Sequence, residues 1–498
     1  MGVNRRDFLK YAAAGAVGGY IALKLPTGTV MAHDRGGGSV IDPPPGGPFF
    51  DPVVMPNISA TPGIVEVNME MKIAPVYVNG VTANLMTYNG YSPAPTIRIK
   101  RGDFLKVNFK NSLPPTTQKN ILGHTKNVTN LHTHGFHVSP ADNRDNILLE
   151  FNPGDQFVFE YDSSKHPAGN LMFYHPHVHG RVAEQMWAGA AGALVVEDDI
   201  SVLSGFETHV MVLKDIKLSG TEPDPYTEQD FEDGKEGNTV MVNGQVNPIL
   251  PIKPGQVQRW QVVNASQARF YKLSLENHTL YLVGTDGGLL DKPYAVTSLL
   301  LSPGERADLL IKANQSANSY RFRSLPYDRG GNTQQTVTLM TLSYGGTPVS
   351  DSVPSSIDPN ARRLNINPNS LPKKTLELNM GHGLEASING LVFTMDNHLT
   401  ISSNVGAYEL WEVKNRSSMD HPFHQHVNAA QVISIDGGDS SYASLYTTIP
   451  AWKDTTIVPA RGSMKMIVPV LDYTGATVFH CHIVEHEDIG MMGLWNIV

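Results

Sequence analysis

Three stretches of the chain repeat one pattern at nearly constant spacing. Each has an Asn-Gly pair, a strand-like run, a glycine, a second strand-like run and a closing asparagine. The first runs from Asn89-Gly90 through Gly102 to Asn111, and the second from Asn243-Gly244 through Gly255 to Asn264. The third runs from Asn389-Gly390 through Gly406 to Asn415. The glycine-to-asparagine gap is nine residues in every copy, and the copies start 154 and 146 residues apart. A period that long means three copies of a domain, not a solenoid of short units. Leu105, Val107 and Phe109 alternate with Lys106, Asn108 and Lys110, the period of two of a half-buried strand. Trp260 and Val262 flank Gln261 in a shorter version of the same alternation. With 45 glycines and 34 prolines in 498 residues, many short strands joined by tight turns are favoured over long helices. The expected fold is all-β: three antiparallel sandwiches or barrels. The predicted divisions are 54–198, 199–345 and 373–498, with a Gly/Pro-rich linker at 346–372.

Residues 1–32 are expected to be an address. Arg5-Arg6-Asp7-Phe8-Leu9-Lys10 precedes a weakly apolar stretch, Tyr11 to Leu23, and then small residues before a cut after Ala32. This is the charged, apolar, small order of an export signal. The paired arginines followed by Phe-Leu-Lys resemble a twin-arginine signal, which implies the twin-arginine export machinery as a partner. The stretch is too short and glycine-rich for a stable membrane span. Without its four cations and one acid, 34 basic and 46 acidic side chains remain, a net charge of −12. The mature chain is thus expected to be soluble, acidic, monomeric, and periplasmic or secreted, with no nucleic-acid partner. Residues 33–53 read as a flexible leader.

The chain has 19 histidines beside one cysteine. A single cysteine excludes an intrachain disulfide, a Cys-rich zinc site and an iron–sulfur cluster. Ten histidines fall in four clusters: His132-Thr133-His134, His175-Pro176-His177, His421-Pro422-Phe423-His424-Gln425-His426, and His480-Cys481-His482 with His486 and Met491 downstream. On a strand, residues i and i+2 share a face. His480 and His482 therefore project to one side and Cys481 to the other, so one dipeptide step links two metal sites. His421 lies an odd step from His424 and His426 and pairs with Cys481. Adding His486 gives a His₂Cys set, with the Met491 thioether as axial ligand, which is the blue-copper electron-transfer arrangement. The remaining eight imidazoles, in four same-face pairs, could hold two or three further copper ions.

With these motifs the sequence resembles the multicopper oxidases, across essentially the whole mature chain. The resemblance implies three cupredoxin domains, of Greek-key sandwich type, and four copper ions. His421, Cys481, His486 and Met491 would hold a type 1 copper, and His132 and His424 a type 2 copper. His134, His175 and His482 would hold one type 3 copper, and His177, His426 and His480 the other. The middle domain would hold none. The implied activity is one-electron oxidation of a small reducing substrate coupled to reduction of dioxygen to water. Protons for that reaction are assigned to Glu487, with Asp145 or Asp142 as the second acid.

His137, His179 and Met492 lie near the motifs, but the resemblance gives them no copper. Thr133 points away from the metal face. The run at 221–237, with seven acids and one lysine, is expected to be a solvated surface loop. The 18 methionines are scattered rather than gathered in an insertion. That favours a laccase-like oxidase of phenols and aromatic amines over an oxidase of Cu(I), Fe(II) or Mn(II). The alternative from another class is a non-enzymatic copper-binding envelope protein. A copper nitrite reductase, built from two-domain subunits, lacks the full set of paired histidines.

Overall fold

The computed structural model describes residues 40–198, 200–330 and 334–498; the expected export signal and the expected leader up to residue 39 lie outside the described residues. In all three repeats the same residues perform the same local task. Asn89, Asn243 and Asn389 sit at φ 56°, 53° and 53°, a left-handed conformation that asparagine tolerates at tight turns. Their side-chain oxygens accept from the backbone N–H of Glu70, Val212 and Glu377 at 2.7, 2.8 and 2.7 Å. The closing asparagines end the strands Phe104–Asn111, Val257–Asn264 and Tyr408–Asn415. Each accepts the N–H two residues on, from Leu113, Ser266 and Ser417, at 3.0, 3.1 and 2.9 Å. The repeat is thus a set of turn and strand-end locks.

Six main sheets fall into three pairs along the chain, and the molecule is all-β with three cupredoxin-like units. In each unit the strand paired antiparallel with the one entering the Asn-Gly turn lies parallel, on its other side, to the strand ending in asparagine: Ile64–Val78 with Phe104–Asn111, Glu207–Ile216 with Val257–Asn264, and Lys373–Met380 with Tyr408–Asn415. The sheets are therefore mixed rather than purely antiparallel. The cause is a crossing: the chain visits the facing sheet at Ala94–Lys100, Ile249–Ile252 or Thr400–Ser403 before it returns.

Two local expectations need correction. Val257–Asn264 is buried on both faces, because its polar face is covered by an ion pair, Arg259 with Asp308 and Asp198. Residues 40–53 are not a free leader. Val40–Ile41 pairs with Thr336–Val337, Phe49 N–H donates to Ile249 O at 2.9 Å, and Asp51 accepts from Val210 N–H at 2.7 Å. The 346–372 connection is also packed down, with Ile357 buried and Arg363 donating to the carbonyls of Ile449 and Val432. Among the described residues no helix is long and apolar enough to cross a membrane.

Candidate metal centre

The strand Gly475–Cys481 runs between His421–Gln425 and Met492–Ile497, with His424 opposite His480 and Phe423 opposite Cys481. On one side, Cys481 Sγ lies 3.4 Å from His421 Nδ1 and 3.7 Å from His486 Nδ1, and those nitrogens are 3.2 Å apart. The short helix Val484–Asp488 carries His486 into this position. The outer nitrogens are anchored: His421 Nε2 to Ser417 Oγ at 2.7 Å, and His486 Nε2 to the Glu232 carbonyl at 3.1 Å. A carbonyl only accepts, so His486 carries its proton on Nε2 and turns the Nδ1 lone pair toward the sulfur. Met491 is fully buried in the same hydrophobic cluster as Cys481, whereas Met492 packs in a separate one with Ile147, Phe393 and Val478. Burial pushes the Cys481 thiol up, and a metal cation would reverse that by holding the thiolate. Burial and the Arg329 charge push His486 down to about 3. Both rings here are neutral donors.

On the opposite side, His480 and His482 enter a group of eight histidines, each no more than 1% exposed. His480 Nε2 is 3.2 Å from His177 Nε2 and 3.1 Å from His426 Nε2. His482 Nε2 is 3.1 Å from His134 Nδ1. His132 and His175 face each other across paired strands. Outer nitrogens of this group are anchored as well. His175, His424 and His480 turn Nδ1 to the carbonyls of Pro176, Asp454 and Cys481, each at 2.9 Å. His132 Nδ1 meets both Asp145 carboxylate oxygens, at 3.1 and 2.9 Å. The Nε2 atoms of His132, His175 and His424 are buried with no protein partner. A buried polar atom without a partner is costly. Burial, with neighbouring imidazoles adding to it, pushes His175, His177, His426, His480 and His482 well below the usual histidine range. Neutral imidazoles with converging lone pairs, beside a His₂Cys set, fit copper.

The acids separate by position. Asp145 is buried and also accepts from Thr133 N–H and Oγ–H, at 2.8 and 3.0 Å. Thr133 thus faces away from the cluster and helps to hold the His132 anchor. Asp142 does not reach the cluster: its side chain is 81% exposed and pairs with Arg144, because the chain turns outward there at φ 56°. Glu487 is fully buried, with its carboxylate oxygens 3.4 Å from His177 Nδ1 and 3.1 Å from His480 Nδ1. Burial, then the neighbouring Asp488 and Glu485, raise its carboxyl well above the usual carboxylate range. His137 is spent on Val427 O at 2.7 Å, and His179 packs between His124 and Phe393.

The acidic run is not a solvated loop. It forms the helix Glu228–Asp233, capped by Thr227 and tied down by the buried Lys235, which pairs with Asp224 and Asp230 at 3.2 and 2.8 Å. The Glu232 carbonyl of this helix covers His486. Sequence reasoning also missed Asp454, which Arg306 grips with two bonds of 2.7 and 2.6 Å and whose Oδ1 lies 3.2 Å from His134 Nε2. Beside it Lys453 pairs with Asp286 and Glu305, all fully buried. No motif spacing marks Trp452-Lys453-Asp454; only the fold brings it to the histidines. A cavity of about 460 Å³, lined in part by Gly135, Asn170, Gln425 and Asp454, reaches the same place from the surface.

Family models described as multicopper oxidase match residues 70–201, 208–347 and 365–498. The chain is 28% identical over 428 residues to a multicopper oxidase of Staphylococcus aureus, covering 84% of this chain and 85% of that one. It is 26% identical to a laccase of Bacillus stratosphericus, covering 87% and 94%. A cell division protein, FtsP, of Xenorhabdus nematophila is 28% identical, covering 81% and 83%. Among solved structures, a multicopper oxidase of Campylobacter jejuni described as a metallo-oxidase superposes with a TM-score of 0.79 at 27% identity, covering 91% and 96%.

Proposed function

Since the chain belongs to the multicopper oxidase family, we propose that it couples one-electron oxidation of a small reductant to four-electron reduction of dioxygen to water. His421, Cys481, His486 and Met491 would hold the type 1 copper, and His132 and His424 the type 2 copper. His134, His175 and His482 would hold one type 3 copper, and His177, His426 and His480 the other. Bound copper supplies one-electron acceptance beside Cys481 and dioxygen reduction within the histidine cluster. The observation that carries the proposal is the placement of Cys481 Sγ against His421 and His486 while its chain neighbours His480 and His482 enter the cluster.

The surrounding residues have defined tasks. Asp145 fixes the His132 ring through Nδ1 and leaves Nε2 free to ligate. Glu487, kept protonated by burial beside the His177 and His480 rings, stores a proton for delivery during oxygen reduction. The cavity bordered by Gly135 and Asp454 gives dioxygen and product water a route. Export by the twin-arginine route would deliver the folded protein to the periplasm or medium.

Laccase-like oxidation of phenols and aromatic amines is the first substrate reading. A second, oxidation of Cu(I), Fe(II) or Mn(II), is favoured by one observation. The ring edge of His486 is covered by the acidic helix Glu228–Asp233, which attracts small cations and denies an aromatic ring direct contact. The test is oxygen uptake by copper-loaded protein with a phenol, an aromatic amine, Fe(II) and Cu(I) in parallel. A kcat/KM that is higher for the organic reductants supports the first reading, and one higher for the metal ions supports the second. No uptake with any of them would contradict the oxidase proposal.

A further inference from the structure

Among the eight clustered histidines, one ring is turned the other way. His134 meets His482 through Nδ1, at 3.1 Å, and gives Nε2 to Asp454 Oδ1 at 3.2 Å and to Thr455 Oγ1 at 3.2 Å. In the other seven, Nε2 either meets another ring of the cluster or has no protein partner. A carboxylate can only accept hydrogen bonds, so a ring bonded to it must carry its proton on that nitrogen. Asp454 therefore dictates Nε2–H and frees the Nδ1 lone pair.

The carboxylate is itself held from elsewhere. Arg306 is 1% exposed and grips both of its oxygens in a fork, the geometry that suits a guanidinium to a carboxylate. The same guanidinium donates to Leu171 O in the first unit, at 3.0 Å, and to Gly304 O and Asp286 O in the second, at 2.9 and 3.0 Å. One side chain thus ties all three units together beside the cluster. Gly304, two residues before it, presses on the same two rings: a Cβ there would stand 3.0 Å from His134 Cε1 and from His482 Cδ2.

We propose that Asp454, locked by Arg306 of the middle unit, is the positioning residue that makes His134 offer Nδ1, and that this gives the ligand-free middle unit its part in building the metal centre. The proposal rests on the reading of the histidine cluster as a copper site, but its primary test does not need copper. That test is nitrogen-15 NMR of histidine-labelled, metal-free full-length protein, with His134 assigned from His134→Gln. The parent should show His134 protonated on Nε2. Asp454→Asn should shift the ring to Nδ1–H or to a mixture of both tautomers. Asp454→Asn leaves a buried arginine without its counter-ion, so a double variant, Arg306→Met with Asp454→Asn, removes both charges together and should show the same change. A second measurement is copper retained against a chelator by the loaded protein. The histidine cluster should lose about 10- to 100-fold in affinity, as is general when the partner of a ligating histidine is removed, while the blue band of the Cys481 site stays. A parent ring protonated on Nδ1, or a tautomer unchanged in both variants, would overturn the proposal. Failure of the parent to bind copper would instead count against the oxidase reading and leave the tautomer result standing.

Discussion

Gly135 follows the second histidine of the first cluster, and its substitution tests how tightly the centre is built. The residue has φ 82°, and a Cβ on it would stand 2.2 Å from Arg306 Nη2 and 2.8 Å from Asp454 Oδ2. A non-glycine residue in the left-handed region costs about 1–2 kcal/mol. The clash cannot be relieved by an idle side chain, because Nη2 already donates to Asp286 O and Asp454 Oδ2. Moving it gives up at least one buried, charge-assisted bond, about 1.5–3 kcal/mol. Gly135→Ala should therefore destabilise the protein by about 3–5 kcal/mol. For a domain-sized unit this lowers the melting midpoint by roughly 10 °C. The assay is thermal melting of parent and variant, both metal-free, followed by circular dichroism and tryptophan fluorescence. A variant that melts within about 2 °C of the parent would refute the packing described around Arg306.

Glu487→Gln should lower oxygen turnover about 100-fold or more while leaving anaerobic bleaching of the blue band by reductant unchanged. Because the Glu487 carboxyl is raised above its ordinary range, it stays protonated at low pH and loses its proton as pH rises through the raised value. Turnover of the parent should fall along that rising limb, and the limb should vanish in Glu487→Gln; stopped-flow reduction and an oxygen electrode across pH check both. Asp145→Ala should weaken copper retention about 10- to 100-fold, whereas Asp142→Ala, on an exposed side chain, should change nothing in metal analysis or turnover.

Much of this centre was legible in the sequence, for reasons of parity and spacing. Strand geometry alone separates Cys481 from His480 and His482, and the Asn-Gly and closing asparagine positions mark units because turns and strand ends are locally coded. What lay beyond the sequence depends on long-range assembly. Asp454 and His134 are 320 residues apart, and Arg306 sits in a unit whose sequence has no histidine cluster to draw attention to it. The helix Glu228–Asp233 was hidden because seven acids in a short run resemble a solvated face, whereas the buried Phe231, the buried Lys235 and the Arg329 contacts hold it over His486. Asp142 and Asp145 differ by three positions, and a left-handed turn between surface and core decides which one reaches the cluster.

Cys481 is the residue through which every electron would pass. The decisive measurement is the visible spectrum of copper-loaded protein, recorded with oxygen uptake on the same samples, for the parent and Cys481→Ser. The parent should be intensely blue and consume one dioxygen per four electrons, and Cys481→Ser should lose the blue band and turnover while retaining the copper of the histidine cluster. A fully loaded parent without the blue band, or a Cys481→Ser variant that still turns over, would contradict the electron path through this residue.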